Sequence, residues 1–167
     1  TDAWKLTAGD PSVVVAVFDC AVNTMHDDLK DALWVNEPEL NGTTGADDDG
    51  NGFIDDIYGF NFVGCFKLNE DYANDRLNGK PAGEAVKGNL LNCTDGSGHG
   101  THVAGIAAAN ALEGTGVVGM APDAQVIAMQ VFTEQGGAQL EEIIAALEDA
   151  MILGCDVANL SLGSSAG

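Results

Sequence analysis

The sequence predicts a parallel α/β sheet with helices on its faces, and three observations carry that expectation. Short, uniformly apolar runs alternate with stretches of helical character; the connections between them are long enough to be crossovers; and no internal repeat is visible. Residues 13–18 (VVVAVF) are β-branched, too short for a helix and too evenly apolar for a half-exposed strand, so they read as a buried parallel strand ending at Asp19. Residues 36–52 are crowded with Asn, Gly and Asp and read as loop, after which residues 57–63 carry enough Tyr, Phe and Val for a second strand. Residues 64–95 are polar, contain glycine and lack a period, as an insertion would. Small residues dominate 98–110 and suit a helix packed closely on a sheet, and residues 125–132 (QVIAMQVF) make a third strand. Leu140, Ile143, Ile144, Leu147, Ala150 and Met151 then fall at helical spacing with Gly154 as the C-terminal cap, and residues 157–162 close the series as a fourth strand.

Composition narrows the function. The 167 residues are 46% hydrophobic and 19% charged, the balance of a globular chain, and no apolar run approaches the ~20 residues of a membrane span. Six Lys and Arg against 26 Asp and Glu give a formal charge of −20, which disfavours nucleic acid and anionic membrane surfaces as partners. All six basic residues lie within the first 87 positions. The acidic field therefore calls for salt, bound divalent cations or basic surface elsewhere. Cys20, Cys65, Cys93 and Cys155 are too sparse for a disulfide scaffold; of the three connectivities, a Cys65–Cys93 bridge is favoured because those two flank one polar stretch. The chain opens at Thr1 without a charged, apolar leader and reads as a processed or engineered start.

In an open parallel sheet, ligands bind where the strands end. Asp19 sits at such an end, where a carboxylate is partly buried and needs a partner. Ser97-Gly-His99-Gly-Thr-His102-Val-Ala-Gly105 offers one: a histidine flanked by glycines at the start of a small-residue helix is presented rather than buried. An Asp and a His at one sheet edge are two thirds of a nucleophile-activating triad. A flavodoxin-like nucleotide binder is disfavoured, because no Gly-rich turn follows the first strand.

These residues resemble a known family. Val-Ala-Val-Phe-Asp19, Gly-His99-Gly-Thr-His-Val-Ala-Gly and Asn159-Leu-Ser161-Leu162-Gly163 are similar, in order and spacing, to the subtilisin-like serine proteases, or subtilases; His26-Asp27-Asp28-Leu29 and residues 116–122 (GVVGMAP) add to the likeness. The resemblance implies a doubly wound parallel sheet of the subtilisin type and peptide-bond hydrolysis by an Asp-His-Ser triad. Asp19 would then stabilise the imidazolium, and His99 would serve as base and then acid. His102, one turn on, would be structural. Ser161, Leu162 and Gly163 would bind substrate backbone on one rim of the cleft, with Gly136, Gly137 and Ala138 on the other.

Two departures stand out. Cys20 and Ala21 follow the aspartate where the family has a small hydroxyl or Asp and then Gly, so a weaker donor and a stiffer backbone would support the carboxylate. The family's Gly-Thr-Ser-Met-Ala nucleophile segment and its later oxyanion Asn are absent. The resemblance therefore implies the N-terminal portion of a single catalytic domain, with a calcium loop at 47–56 and a polar insertion at 64–95. It supplies Asp and His only and would be inactive alone. A peptide or protein substrate is the implied partner, with a complementing C-terminal chain or a propeptide beside it, in a secreted, secretory or vacuolar setting. The rival expectation is a catalytically silent, calcium-binding structural module.

Calcium is the expected cofactor. Residues 47–56 (DDDGNGFIDD) place Asp47, Asp49, Asn51 and the Phe53 carbonyl at the alternating positions of an EF-hand-type loop, with Gly52 for the turn. Position twelve is Tyr58 instead of a bidentate Glu, which leaves Asp55 or Asp56 to supply that carboxylate. Such loops resemble calcium-binding insertions in bacterial and protozoan subtilases. The same resemblance implies a second calcium held by Asp28, Glu113 and the carbonyls of Ala111, Thr115 and Val117. Asn41-Gly-Thr43 and Asn92-Cys-Thr94 are sequons in expected loops.

Overall fold

The computed structural model describes residues 2–63, 66–68, 83–85, 95–110, 116–133 and 135–164. After a 3-10 turn at Ala3–Lys5 the elements are β1 (Val14–Asp19), α1 (Glu37–Asn41), β2 (Gly59–Asn61), β3 (Phe66–Leu68), β4 (Gly83–Ala85), α2 (His99–Ala108), β5 (Gln125–Gln130), α3 (Leu140–Ile152) and β6 (Val157–Leu160). Four of the strands form one parallel sheet in the order β2-β5-β1-β6; β3 and β4 form a separate antiparallel pair inside the expected insertion.

The central position of β1 explains its composition. It pairs with β5 from Val14 opposite Gln125 to Asp19 opposite Gln130, and on its other edge with β6 from Val15 opposite Val157. With both edges paired and both faces covered, alternate side chains have nowhere polar to point. Val14, Ala16 and Phe18 join Ile127 and Met129 under Ala145, Ala146 and Ala150 of α3; Val17 joins Val126 and Ala128 under Ala104 and Ala108 of α2. Helices thus lie on opposite faces, which is the doubly wound arrangement. The chain also places β5 and β6 on opposite sides of β1, so a crevice forms beyond the carboxyl end of β1.

Several elements differ from expectation. The stretch 36–52 is not all loop: Glu37–Asn41 is a short helix, with Pro38 in its first turn and the Leu40 N–H donating to the Asn36 carbonyl at 2.9 Å. Strand β5 stops at Gln130 because the N–H groups of Val131 and Phe132 both turn to the Asp19 carbonyl, at 2.9 and 3.2 Å. Strand β6 stops at Leu160, leaving residues 161–163 irregular. Helix α3 keeps the expected span and Gly154 takes a left-handed φ of 78°; of its expected apolar stripe Ala150 is in the core and Ile143 and Leu147 pack against it, but the ends of the stripe are not inner-facing. Leu140 and Met151 are exposed, whereas Glu142, Ala145, Ala146, Asp149 and Ala150 are buried. The alanines win the inner face because they let the helix approach the sheet closely, and both buried acids have hydrogen-bond partners.

A glycine sets the distance between α2 and β1. A Cβ on Gly100 would collide with the Ala21 carbonyl oxygen and lie 3.0 Å from the Asp19 Cβ. Only glycine lets the first turn of α2 rest against the end of β1. Cys65, Cys93 and Asn92 lie outside the described residues, as does most of the 64–95 insertion; Cys20 and Cys155 are free thiols, and Asn41 is exposed.

Candidate active site

The close approach at Gly100 brings two expected residues together. The Asp19 side chain is 3% exposed, and its two oxygens lie 2.8 and 2.9 Å from Nδ1 of His99, whose side chain is 59% exposed. The hydrogen bond and charge of Asp19 raise the His99 pKa, with a smaller contribution from the charge of Asp95. The carboxylate therefore fixes one ring nitrogen, and the other edge of the imidazole faces solvent. Such an imidazole can take up a proton while its charge is offset from behind.

Support for Asp19 comes from the residues that depart from the family pattern. The Cys20 N–H donates to Asp19 Oδ1 at 2.8 Å, and the thiol donates to the same oxygen at 3.2 Å. Ala21 holds the left-handed backbone that glycine takes most easily, with φ 87° and no exposure, at a cost of about 1–2 kcal/mol.

Asp95 was not legible as a site residue, although it stands four residues before His99. Its Oδ1 accepts the N–H of Gly98 at 2.7 Å and of Ser97 at 3.2 Å, and its Oδ2 accepts the N–H of Thr101 at 2.7 Å. Burial works against its charge, but the hydrogen bonds from Thr101 and Gly98 outweigh it and leave the pKa lowered. An acid just before a Gly-Ser-Gly turn into a helix was the available signal. It holds open donors of the α2 N-terminus and so fixes the turn that presents His99.

An open cleft of 230 Å³ runs over the dyad, lined by Asp19, Cys20, Ser97, His99, Phe132, Thr133, Gly136, Ser161, Leu162 and Gly163. Gly136, expected on one rim, and residues 161–163, expected on the other, thus line the same cleft as His99. Gly137 and Ala138 are not in the lining; Gly137 instead closes a turn, accepting the Thr133 N–H at 2.9 Å and donating to Thr133 Oγ1 at 3.2 Å. His102 is exposed and borders a different hollow with His26 and Asp28.

The acidic loop is organised by residues outside it. Glu39 of α1, 3% exposed, accepts the N–H groups of Asp48, Asp49 and Asp55 at 2.6, 3.1 and 2.7 Å. Oxygen atoms of Glu39, Asp47 and Asp49 lie within 4.8 Å of one another, and among the described residues no Lys or Arg pairs with them. Three hard oxygen donors so placed fit a calcium ion. Among the described residues the carboxylate grouped with Asp47 and Asp49 is that of Glu39. Asp55 (φ 55°) accepts the Gly45 N–H at 2.9 Å, and Asp56, fully buried, accepts the amides of Asn36 and Asn51 at 2.9 and 2.8 Å. The Phe53 ring packs on Phe60 and Phe62 at centroid distances of 4.7 and 5.1 Å and anchors the loop to the sheet. Asn51 accepts the Phe53 N–H at 2.7 Å.

Asp149 of α3 completes this cluster and had no sequence signal beyond an acid among alanines. It is 1% exposed; one oxygen accepts the Asn51 amide at 3.1 Å and the other has no hydrogen-bond partner among the described residues. Burial, then the charges of Asp56, Asp49 and Asp47, push its pKa up to about 8; burial raises Asp56 to about 6. At the second expected site, Asp28 Oδ2 accepts the Val117 N–H at 3.0 Å, so that segment does reach Asp28; Ala111, Glu113 and Thr115 lie outside the described residues.

Comparison with known proteins was consistent across sequence and fold. The subtilase family (peptidase S8) matches residues 10–167. Subtilisin-like protease 1 of Plasmodium falciparum (isolate 3D7) is 33% identical over 137 residues, covering 82% of this chain and 16% of that protein. The minor extracellular protease Vpr of Bacillus subtilis (strain 168) is 35% identical over 164 residues, covering 98% of this chain and 15% of that one. Among solved structures, sphericase aligns with a TM-score of 0.60 at 28% identity, over 96% of this chain and 40% of that chain. A psychrophilic protease, S41, gives 0.61 and 28% over 95% and 39%. The chain thus spans about a sixth of the length of these curated relatives and two fifths of the solved ones.

The raised pKa of Asp149 has a sign that can be tested. An acid whose folded pKa lies above its unfolded value near 3.8 binds more protons when folded, so stability falls as pH rises from about 4 through about 8. In metal-free protein, denaturation across that range will show the decline, and Asp149→Asn will flatten most of it. An unchanged pH slope in the variant would mean that Asp149 is ionised in the folded protein.

Proposed function

The chain belongs to the subtilase family, and on that premise we propose that it carries the Asp and His of a calcium-dependent serine endopeptidase. The observation that carries this reading is the Asp19–His99 pair, buried on the carboxylate side, open on the imidazole side and placed in a cleft. Asp19 holds the ring with Nδ1–H toward itself, so the opposite nitrogen is the lone pair offered to a nucleophile. His99 takes the proton of an attacking serine hydroxyl and returns it to the leaving amine, while Asp19 stabilises the imidazolium between the two transfers. Among the described residues no serine hydroxyl is hydrogen-bonded to that ring: Ser97 Oγ lies 2.7 Å from the Cys20 sulfur, and Ser161 Oγ accepts the Asn159 amide at 3.0 Å. The nucleophile is therefore assigned to a serine other than these.

Gly136 and residues 161–163 form the rims between which a peptide would lie as an added strand. The irregular backbone after Leu160 suits that role, because its N–H and C=O groups are not consumed by a neighbouring strand. Peptide or protein is the substrate class, with a propeptide or complementing chain as further partners of the same cleft. An extracellular or secretory setting accords with the Bacillus relative, a minor extracellular protease, and among the described residues no helix is long and apolar enough to cross a membrane.

The silent-module reading draws on Cys20, Ala21 and the absent nucleophile segment. The first two weigh less against catalysis, since the Cys20 N–H and thiol both reach Asp19 and Ala21 takes the left-handed backbone open to glycine.

For calcium, Glu39, Asp47 and Asp49, with Asn51 and the Phe53 carbonyl, would hold one ion at the loop. Its two charges would offset the carboxylate repulsion that the buried Asp56 and Asp149 add to. Asp28 and the Val117 segment remain the proposed second site.

Two outcomes test this reading. Full-length protein should react with a fluorophosphonate, and His99→Ala should reduce labelling to background with peptide hydrolysis down by roughly 10⁴ or more; equal labelling of variant and parent would contradict it. Chelation should lower the melting temperature by several degrees, as a ligand bound only to the folded state requires, and a paired Asp47→Asn, Asp49→Asn variant should lose that response. No shift on chelation would remove calcium from the account.

A further inference from the structure

We propose that the catalytic-dyad cluster is also a binding site for a thiophilic divalent ion such as zinc, held by the Cys20 sulfur, His99 Nδ1 and an Asp19 oxygen. These three donors come from adjacent backbone positions and the facing helix turn, and all lie within 4.8 Å of one another. The sulfur is 3.2 Å from Asp19 Oδ1, and Nδ1 is 2.8 Å from the same oxygen. Around a tetrahedral zinc, with bonds of about 2.0–2.3 Å, ligand atoms stand about 3.3–3.6 Å apart. Those two distances are within about half an ångström of such a shell, the sulfur and Nδ1 lie within 4.8 Å of each other, and the exposed imidazole is the part free to shift.

The donor set selects the ion. Sulfur, imidazole nitrogen and one carboxylate oxygen favour zinc over calcium, whereas the loop around Asp47 offers oxygen alone. The charges also close: a doubly positive ion meets one carboxylate and one thiolate, and the histidine stays neutral. On binding, the Cys20 sulfur releases its proton to solvent. His99 keeps its single ring proton, which moves from Nδ1 to Nε2 as Nδ1 takes up the metal. The cleft opens onto Asp19, Cys20 and His99, so the ion has a route in and water is available for the fourth position.

The consequence is reversible inhibition. With its proton on Nε2, His99 has no lone pair for an incoming hydroxyl. That consequence rests on the proposed role of His99 as base; the metal site does not, so binding is the quantity to measure.

The test is a titration of the calcium-saturated protein with Co²⁺, following the near-ultraviolet thiolate-to-cobalt charge-transfer band, with Zn²⁺ competition by calorimetry. One equivalent should bind with that band. Cys20→Ser should abolish the band, His99→Ala should weaken binding at least ten-fold, and Cys155→Ser should leave both unchanged. Absence of the band in the parent, its persistence in Cys20→Ser or full affinity in His99→Ala would each overturn the site. X-ray absorption on the parent's zinc complex decides the matter without any variant: one sulfur and one imidazole around the metal support it, and a shell of oxygen alone contradicts it.

Discussion

The arrangement depends on one hydrogen-bonded pair, a carboxylate out of water behind an imidazole that remains in it. Burying Asp19 is unfavourable unless its charge is matched, and three groups match it: the His99 ring, the Cys20 N–H and the Cys20 thiol. The rest of the fold puts those groups in reach. Strand β1 is paired on both edges as far as Phe18, and the Asp19 carbonyl is held by the N–H groups of Val131 and Phe132; Gly100 removes the one side chain that would hold α2 away; Asp95 ties the N–H groups of Ser97, Gly98 and Thr101 so that the helix begins at His99. Each is a local device, and together they fix a distance between residues 80 apart in sequence.

A second constraint acts through repulsion. Asp56 and Asp149 are buried beside Asp49 and Asp47, and the cost of ionising them appears in their pKa values of about 6 and about 8. The Asn51 amide donates to both, so its oxygen is left for the loop, where it accepts the Phe53 N–H. The loop is thereby joined to the sheet by Phe53 and to α3 by Asn51, and α3 leads directly into β6, whose end borders the cleft. A cation at the loop would thus stabilise the same framework that carries one rim of the site.

Much of this was legible because β1, β5 and the Gly-His-Gly turn each have one physical explanation. A fully apolar six-residue run fits only a strand buried on both faces, and a histidine between glycines at a helix start fits poorly as core. The inner face of α3 was legible only in part: Ala150, Ile143 and Leu147 do meet the core, but Ala145 and Ala146 were passed over because Leu and Ile outrank Ala in hydrophobicity while close packing on the sheet favours Ala. Asp149 and Glu39 were hidden for a related reason: their burial is stabilised by partners more than ten residues away in sequence for Asn51 and Asp149, and by loop N–H groups for Glu39. Asp55 and Asp56 were offered only because Tyr58 stands where the loop pattern needs a carboxylate, and spacing alone does not show that the chain turns at Asp55 and carries Asp56 inward.

The most direct measurement is proton NMR of the His99 ring at low temperature. A strongly downfield Nδ1 proton, bonded to a nitrogen whose shift marks the Nδ1–H form and lost in Asp19→Ala, is the result expected for an imidazole held from behind by a buried carboxylate. A ring carrying its proton on Nε2 in the metal-free protein, or a spectrum unchanged by Asp19→Ala, would contradict the account.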